Sequence, residues 1–481
     1  MVGIVGYGGY VPRLRLQRKA VVQANSWFNP GLKAYAKGER AMCNWDEDSL
    51  TMAVEAARDC LGACQANDLR AVYFASTSMP FADRQNAGIL STALALGENL
   101  STLDITSSQR AGTSGLITAL NAQTGIGGQL LYATADKRRT KAASQQELLF
   151  GDGAAAFLLG ASGTVADLLG WHQVAIDFVD HYRGENEEFD YTWEERWIRD
   201  EGYLKIVPRA LKGLFDKTGL KGEQVDRFIM PCVLRGVPEG IAKRAGIGEA
   251  AVANQLQEVM GESGAAHALV MLSDALQAAR PGETIVLIGW GQGCDVLAFR
   301  TTPAIAGASK PRGIKGYLAR RKEETNYSKF LAFNDLVTRE KGLRSEVDKQ
   351  TPLTTLYRKK DMLLAMMGGK CRVCGTVQFP KANVCVNPNC GAFHSQDDHP
   401  FADTPAKIQS WTADQLTYSP DPPAYCGMVV FDEGGRFMSD FTDMDADKAN
   451  TGQKMRMVFR IKEHDDARGF TKYFWKATPA Y

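Results

Sequence analysis

Through residues 1–303, short apolar runs alternate with longer stretches whose apolar positions recur at helical spacing. Val2–Val5, Ala71–Ser76, Gly128–Ala135, Ala154–Gly160, Arg227–Pro231 and Thr284–Gly289 read as strands, apolar on successive positions as strands covered on both faces are. Asp48–Leu61, Ala111–Ala122, Tyr203–Lys217 and Ala265–Ala279 read as the helices between them. Alternation of this kind predicts a layered α/β fold. Asp177–Glu201 (DFVDHYRGENEEFDYTWEERWIRDE) breaks the rhythm with crowded charge and aromatics. It reads either as a solvated insertion or as a cap over an active site or a subunit contact.

After Arg300 the run TTPAIAGASKPRGIKG, rich in Pro, Gly and Ala, predicts a boundary. The expected division is a first domain over 1–303, in halves of about 1–165 and 166–303, and a linker with helices over 304–350. A helix and metal-binding segment over 351–396 and a small β-barrel over 397–481 complete it. Residues 317–367 read as helical and strongly charged. Gly427–Phe431, Gly435–Phe441 and Met455–Lys462 read as barrel strands.

Composition narrows the function classes. A 481-residue chain of formal net charge +1 suits two or three domains and carries no basic field of the kind that draws nucleic acid or an anionic membrane surface. No apolar run reaches the ~18 residues of a membrane span, and nothing near Met1 reads as a signal peptide. The expected compartment is the cytoplasm, where the ten cysteines are thiols or metal ligands.

Four of those cysteines carry the most specific chemistry. In GGKCRVCGTVQFPKANVCVNPNC, the pairs Cys371/Cys374 and Cys385/Cys390 predict a closed tetrahedral thiolate site holding a structural zinc ion. His394 lies just beyond a set that already counts four ligands. Together with YCGMVVFDEGGRF and KYFWKATP, this stretch resembles the rubredoxin-like zinc ribbon plus OB-fold module found beside thiolases, over roughly 350–481. The resemblance implies association with a thiolase-type subunit and help in holding acyl-CoA.

The first domain resembles the thiolase superfamily, especially its 3-hydroxy-3-methylglutaryl-CoA synthase and ketoacyl synthase III branches. The motifs are GIVGYGGYVPRLRL, LDITSSQRAGTSGLITAL, Asp136 followed by ELLFGDGAAAFLLG, GESGAAHALVMLSDAL and LIGWGQGCDVLAF, in that order. The resemblance implies a five-layered α/β/α/β/α core built from two βαβ-type halves, and a homodimer. The family's catalytic residues do not carry over. Gln109 stands at the nucleophilic cysteine, Met230 at the histidine, Thr77 at the synthase glutamate and Glu262 at the asparagine.

A thioester pocket without that cysteine still suits carbon–carbon cleavage by a retro-aldol route, which needs a base and an enolate site and no acyl-enzyme. Certain steroid side-chain aldolases are similar in kind. The expected function is therefore an acyl-CoA aldolase, with His267, Glu262, Gln109 and Cys294 as candidate catalytic groups. Tyr191, Glu194, Glu195, His181 and Arg183 in the insertion form a second pool, and Asp152 is expected to fix the GDGAAA turn. The alternatives are a decarboxylating ketosynthase-like enzyme, a non-catalytic partner of a further thiolase-like subunit, and an acyl-CoA scaffold. CoA contacts are not singled out among Arg84, Arg110, Lys137, Arg138, Arg235, Lys243 and Arg244.

Overall fold

The apolar runs become strands of a nine-stranded sheet in the computed structural model, which describes residues 2–63, 66, 68–308, 311–445 and 448–480. In chain order the strands are β1 (Gly3–Tyr10), β2 (Leu14–Gln17), β3 (Glu39–Met42), β4 (Leu69–Ala75), β5 (Ser101–Ile105), β6 (Gln129–Asp136) and β7 (Gly153–Gly160). There follow β8 (Ala166–Ala175), β9 (His181–Tyr182), β10 (Tyr191–Thr192), β11 (Arg227–Ile229), β12 (Thr284–Trp290), β13 (Gly293–Thr301) and β14 (Lys322–Glu324). The large sheet runs β11-β12-β13-β8-β1-β7-β6-β4-β5.

That order contains a repeat. On one side β4 and β6 are parallel, β6 and β7 antiparallel, and β7 and β1 antiparallel. On the other side β11 and β12, β12 and β13, and β13 and β8 repeat those three relations. The halves join where Gly3 and Ile4 of β1 pair with β8. Helix α1 (Ser49–Ala63) covers β1, β6 and β7, and helix α3 (Leu204–Thr218) covers β8 and β13. Helices α2 (Ala111–Ile126) and α4 (His267–Ala278) lie between the halves and touch strands of both. This is a five-layered α/β/α/β/α arrangement.

Each layer follows from its sequence. α3 buries Ile206, Val207, Ala210, Leu211 and Leu214, one stripe of an otherwise charged helix. α2 is rich in Ala, Gly, Leu and Ile because it is covered from two directions. Its Gly112 is required by close approach: a Cβ there would lie 1.9 Å from the Ala265 carbonyl oxygen.

Two buried carboxylates fix where the inner helices begin. Asp136, at the end of β6, accepts from Ser76 Oγ (2.9 Å), Thr77 N (2.7 Å), Thr77 Oγ1 (2.9 Å) and Ser78 Oγ (2.9 Å) in the loop after β4. It also accepts from Ala265 N at 2.7 Å, in the turn before α4. Asp295 on β13 accepts from Arg110 Nη1 (2.8 Å), Thr113 Oγ1 (2.9 Å) and Ser114 Oγ (2.6 Å) at the start of α2.

The boundary expected at residue 303 is corrected. The first compact unit comprises Met1–Cys43, Asp48–Gly88 and Asn99–Leu336, so 304–336 is no linker. Helix α5 (Gly313–Ala319) packs on β1 and α4, and β14 pairs with β2. The Asp59 carboxylate secures this return by accepting from the backbone N–H groups of Gly9, Arg312 and Gly313 at 2.9–3.0 Å. The helical reading of 317–367 is also corrected: β14 interrupts it, and 337–352 contains only one short turn, Leu343–Ser345.

The second unit comprises Asn44–Glu47, Ile89–Glu98 and Val337–Tyr481. Strands β15 (Met367–Cys371), β16 (Val377–Gln378) and β17 (Gln396–Pro400) form a small ribbon in the order β16-β15-β17. Strands β18 (Ala406–Asp414), β19 (Ala424–Phe431), β20 (Arg436–Asp440), β21 (Lys454–Asp465) and β22 (Phe470–Pro479) run β20-β19-β18-β21-β22. A bridge from Phe441 to Ala477 brings the ends of this sheet together as an OB-fold barrel around Trp475, Phe459 and Val429. Arg460, fully buried, bonds Glu47 and Asp443 in the same unit. No described helix is long and apolar enough to cross a membrane.

The four ribbon cysteines converge. Their sulfurs all lie within 4.8 Å of one another, with Cys371–Cys390 at 4.0 Å and Cys374–Cys385 at 3.5 Å. A tetrahedral zinc with ~2.3 Å bonds separates its sulfurs by roughly 3.8 Å, so the set fits a closed structural site. His394 is outside the described cluster.

Two outcomes follow. Replacing Cys385 with Ser removes bound zinc, read by metal analysis, and exposes 367–400 to hydrogen exchange while β6 and β7 keep their protection. Asp136→Asn leaves several buried donors short of an acceptor and costs about 3 kcal/mol or more in denaturant unfolding of the first unit.

Candidate active site

The strands of both halves end on one crevice, the usual place for a ligand in a layered α/β sheet. Gln109 arrives just ahead of α2, and Arg138 just past β6. Asp180 and His181 follow β8, Cys232 follows β11, and Trp290 closes β12. These residues and Glu262 line a cavity of about 370 Å³. Leu149, Phe150, Trp193, Ile198, Tyr203 and Leu234 supply its apolar wall.

Backbone pairing brings two of the sequence motifs together. Gly151 N donates to Glu262 O, Glu262 N donates to Leu149 O, and Phe150 bridges Glu262. Asp152 fixes the turn by accepting from Cys43 N and Arg138 N, both at 2.8 Å. Glu262 thereby points at Gln109, whose Nε2 donates to Glu262 Oε1 at 2.7 Å. Arg138 Nη1 donates to Glu262 Oε2 at 2.7 Å, and its guanidinium carbon lies 3.8 Å from the centre of the Phe150 ring. Arg138 Nη2 continues to Asp190 at 3.0 Å, and Arg183 bonds the other Asp190 oxygen at 2.9 Å.

The insertion supplies the site's histidine. β9 and β10 form a two-stranded ribbon, and Asp180, His181, Thr192, Trp193, Glu195 and Ile198 all face the cavity. The reading as a cap is thus what the geometry shows for this part of the segment. His181 Nδ1 bonds Asp180 Oδ1 at 3.0 Å, and Asp180 Oδ2 accepts from Trp290 Nε1 at 2.8 Å. Burial works against a charged imidazole here, but the hydrogen bond and charge of Asp180 outweigh it and raise the His181 pKa. Burial likewise opposes ionisation of Asp180, and its bonds from His181 and Trp290 hold it below the ordinary carboxylate value. The chain passes from this ribbon through a π-helical turn, Ile198–Tyr203, which places Ile198 and Tyr203 on the cavity wall.

The expected residues divide. Gln109 and Glu262 line the cavity and touch. His267 does not reach it: the ring is fully buried, Nδ1 receives Ser263 N at 3.2 Å, and Nε2 meets Gln255 O at 2.9 Å. Burial lowers its pKa, so it stands as a neutral structural group. Cys294 is also fully buried away from the cavity, with burial pushing its thiol far above the usual range. Of the second pool, His181 and Glu195 face the cavity, whereas Tyr191 is exposed and Glu194 caps the turn that begins at Glu195. Arg110 is committed to Asp295.

Cys232 was missed in the sequence, where it stands two residues past the Met230 position. It lines the cavity beside Tyr203, and burial pushes its thiol up to about 12. A thiol with that pKa is a poor nucleophile at neutral pH. Met230 itself is fully buried.

The comparisons agree with this architecture. Residues 215–299 match the 3-oxoacyl-[acyl-carrier-protein] synthase III C-terminal family. Residues 366–394 match the ChsH2 rubredoxin-like zinc ribbon domain, and 401–460 match the ChsH2 C-terminal OB-fold domain. The hydroxymethylglutaryl-CoA synthase of Caldivirga maquilingensis is 28% identical over 350 residues, 70% of this chain and 98% of its own. That of Methanocaldococcus jannaschii is 29% identical over 348 residues, 69% of this chain and 98% of its own. Among solved structures, MvaS in complex with 3-hydroxy-3-methylglutaryl coenzyme A superposes with a TM-score of 0.57 at 18% identity, over 69% of this chain and 91% of that one. Xanthomonas campestris OleA with bound lauric acid and lauroyl-CoA gives 0.54 at 18% identity, over 62% and 98%. The chain therefore has a thiolase-like fold similar to that of the hydroxymethylglutaryl-CoA synthases, followed by segments that match the ChsH2 zinc-ribbon and OB-fold domains.

Proposed function

We propose that this protein is an acyl-CoA aldolase that makes or breaks a carbon–carbon bond of a β-hydroxyacyl-CoA without a cysteine acyl-enzyme. The observation that carries the reading is the Asp180-held His181 on the cavity that Gln109 also lines. Asp180 takes Nδ1, which leaves Nε2 to receive the β-hydroxyl proton. Helix α2 begins two residues after Gln109, and the positive end of its dipole favours the negative charge that develops on the thioester oxygen of an enolate. Gln109 stands at the position where the family resemblance puts a nucleophile, and an amide forms no thioester. Cys232, the one cysteine among the described lining residues, is held as a thiol.

A second reading, an acyl-CoA scaffold or partner subunit, draws on the closed pairing of Glu262, whose two oxygens are taken by Gln109 and Arg138. Turnover separates the two. The purified chain should convert β-hydroxyacyl-CoA into a carbonyl compound and a shortened acyl-CoA. Activity that appears only with a co-purifying thiolase-like chain would contradict the aldolase reading.

His181→Asn should lower kcat by about 10²- to 10⁴-fold. Cleavage needs neutral imidazole, so the rate should climb with pH through the raised His181 pKa. Asp180→Asn removes the group that raises it, which moves this limb to lower pH while kcat falls. A pH–rate profile unmoved by Asp180→Asn would remove His181 from the role of base.

A further inference from the structure

A second, smaller cavity of about 170 Å³ shares Gln109, Arg138 and His181 with the main one. Its remaining wall includes Thr77, Ser107, Ser108, Arg183, Asp190 and Gln292 beside Tyr182, and no Leu, Ile, Val, Met or Phe is among its described lining residues. The small space is therefore the more polar of the two, and they meet at the proposed base. A retro-aldol reaction also makes two products from one bond, and each needs room as the bond parts.

We propose that the small cavity holds the departing carbonyl fragment, and that this fragment is a short oxo acid whose carboxylate meets Arg183 and Arg138. The inference rests on the aldolase reading and names its substrate class. Size follows from volume: at about 170 Å³ the space is less than half of the main cavity's 370 Å³, so it suits the smaller of the two fragments. Polarity follows from the wall, since an apolar fragment would strand hydroxyl and guanidinium groups away from water. Charge follows from a count: two guanidinium groups, of Arg138 and Arg183, face one carboxylate, Asp190, in this wall. Asp190 and the Thr77 carbonyl take two of the donors of Arg183, and Glu262 and Asp190 take two of Arg138. A guanidinium has five donors in a planar fork that matches a carboxylate.

The step balances without a co-reactant. Nε2 of His181 takes the β-hydroxyl proton, and the oxygen's electron pair forms the new C=O. The bond between the α and β carbons breaks, and its pair passes into the thioester enolate in the main cavity. A proton returned to the α carbon gives the shortened acyl-CoA, and the oxo acid leaves from the small cavity.

The test compares three β-hydroxyacyl-CoA substrates, which release pyruvate, its neutral isostere 3-methylbutan-2-one, or cyclohexyl methyl ketone. The thioester that releases pyruvate should show the highest kcat/KM, by about ten-fold or more over the isostere, as a charge-assisted hydrogen bond allows. Arg183→Gln should collapse that ratio chiefly through KM. Equal or better cleavage of the isostere or the bulky ketone overturns the assignment and leaves the aldolase reading intact. No cleavage of any of the three overturns the aldolase reading itself. Pyruvate binding to the full chain, followed by saturation-transfer NMR, reports on the cavity apart from turnover. Binding that Arg183→Gln abolishes supports the site, and no binding to the unaltered chain overturns it.

Discussion

The active-site end of the first unit depends on one buried carboxylate. Asp136 closes β6, where a sheet strand runs out of ladder partners, and takes five hydrogen bonds from two separate segments. Four come from residues 76–78, in the half that contains β6. The fifth comes from Ala265, in the other half. A carboxylate offers about four lone-pair sites and no donor, so it suits a place where only donors converge. Through it the loop after β4 and the turn before α4 are fixed to one point. Glu262 sits three residues before Ala265, and Thr77, whose carbonyl accepts from Arg183, sits within that loop. The position of the cavity is thus a consequence of strand ends and one acid.

Beyond that point the polar groups form a chain. Gln109, Glu262, Arg138, Asp190 and Arg183 bond in succession, and Arg138 rests on Phe150. Charges alternate along it, as burial demands, because an unpaired ion at this depth would be costly. His181 stands outside the chain with its own acid, Asp180, which Trp290 holds in place. The site therefore separates a paired network that shapes the cavity from a dyad with a nitrogen left for substrate. Under the proposed aldolase reading, that division serves proton transfer.

Much of this was legible in the sequence, and the gaps have physical reasons. Strands β4, β6, β7 and β12 are continuous apolar runs and could be read directly. β8 and β13 were not read, because Trp171, His172 and Gln173, or Gly293 and Asp295, disturb their apolar runs. The return of 304–336 onto the first unit was hidden because it depends on Asp59, a residue about 250 positions away in sequence. Gln109 and Glu262 were found because motif order placed them. His267 shared a segment with Glu262, but an α-helix that starts there turns its ring inward, to backbone partners. His181 is weakly marked in the sequence because a charged, aromatic insertion looks like solvated surface until a ribbon folds it over the cavity. The zinc cysteines needed no tertiary information: their spacing already specifies the turn geometry.

The central claim is that chemistry here proceeds with no acyl group on the protein. The most direct measurement is the intact mass of the chain, quenched during turnover of a β-hydroxyacyl-CoA. The account predicts an unmodified mass while carbonyl product and shortened acyl-CoA accumulate in equal amounts. A chain heavier by the acyl group, with the adduct mapping to Cys232 or another side chain of the cavity, would contradict it.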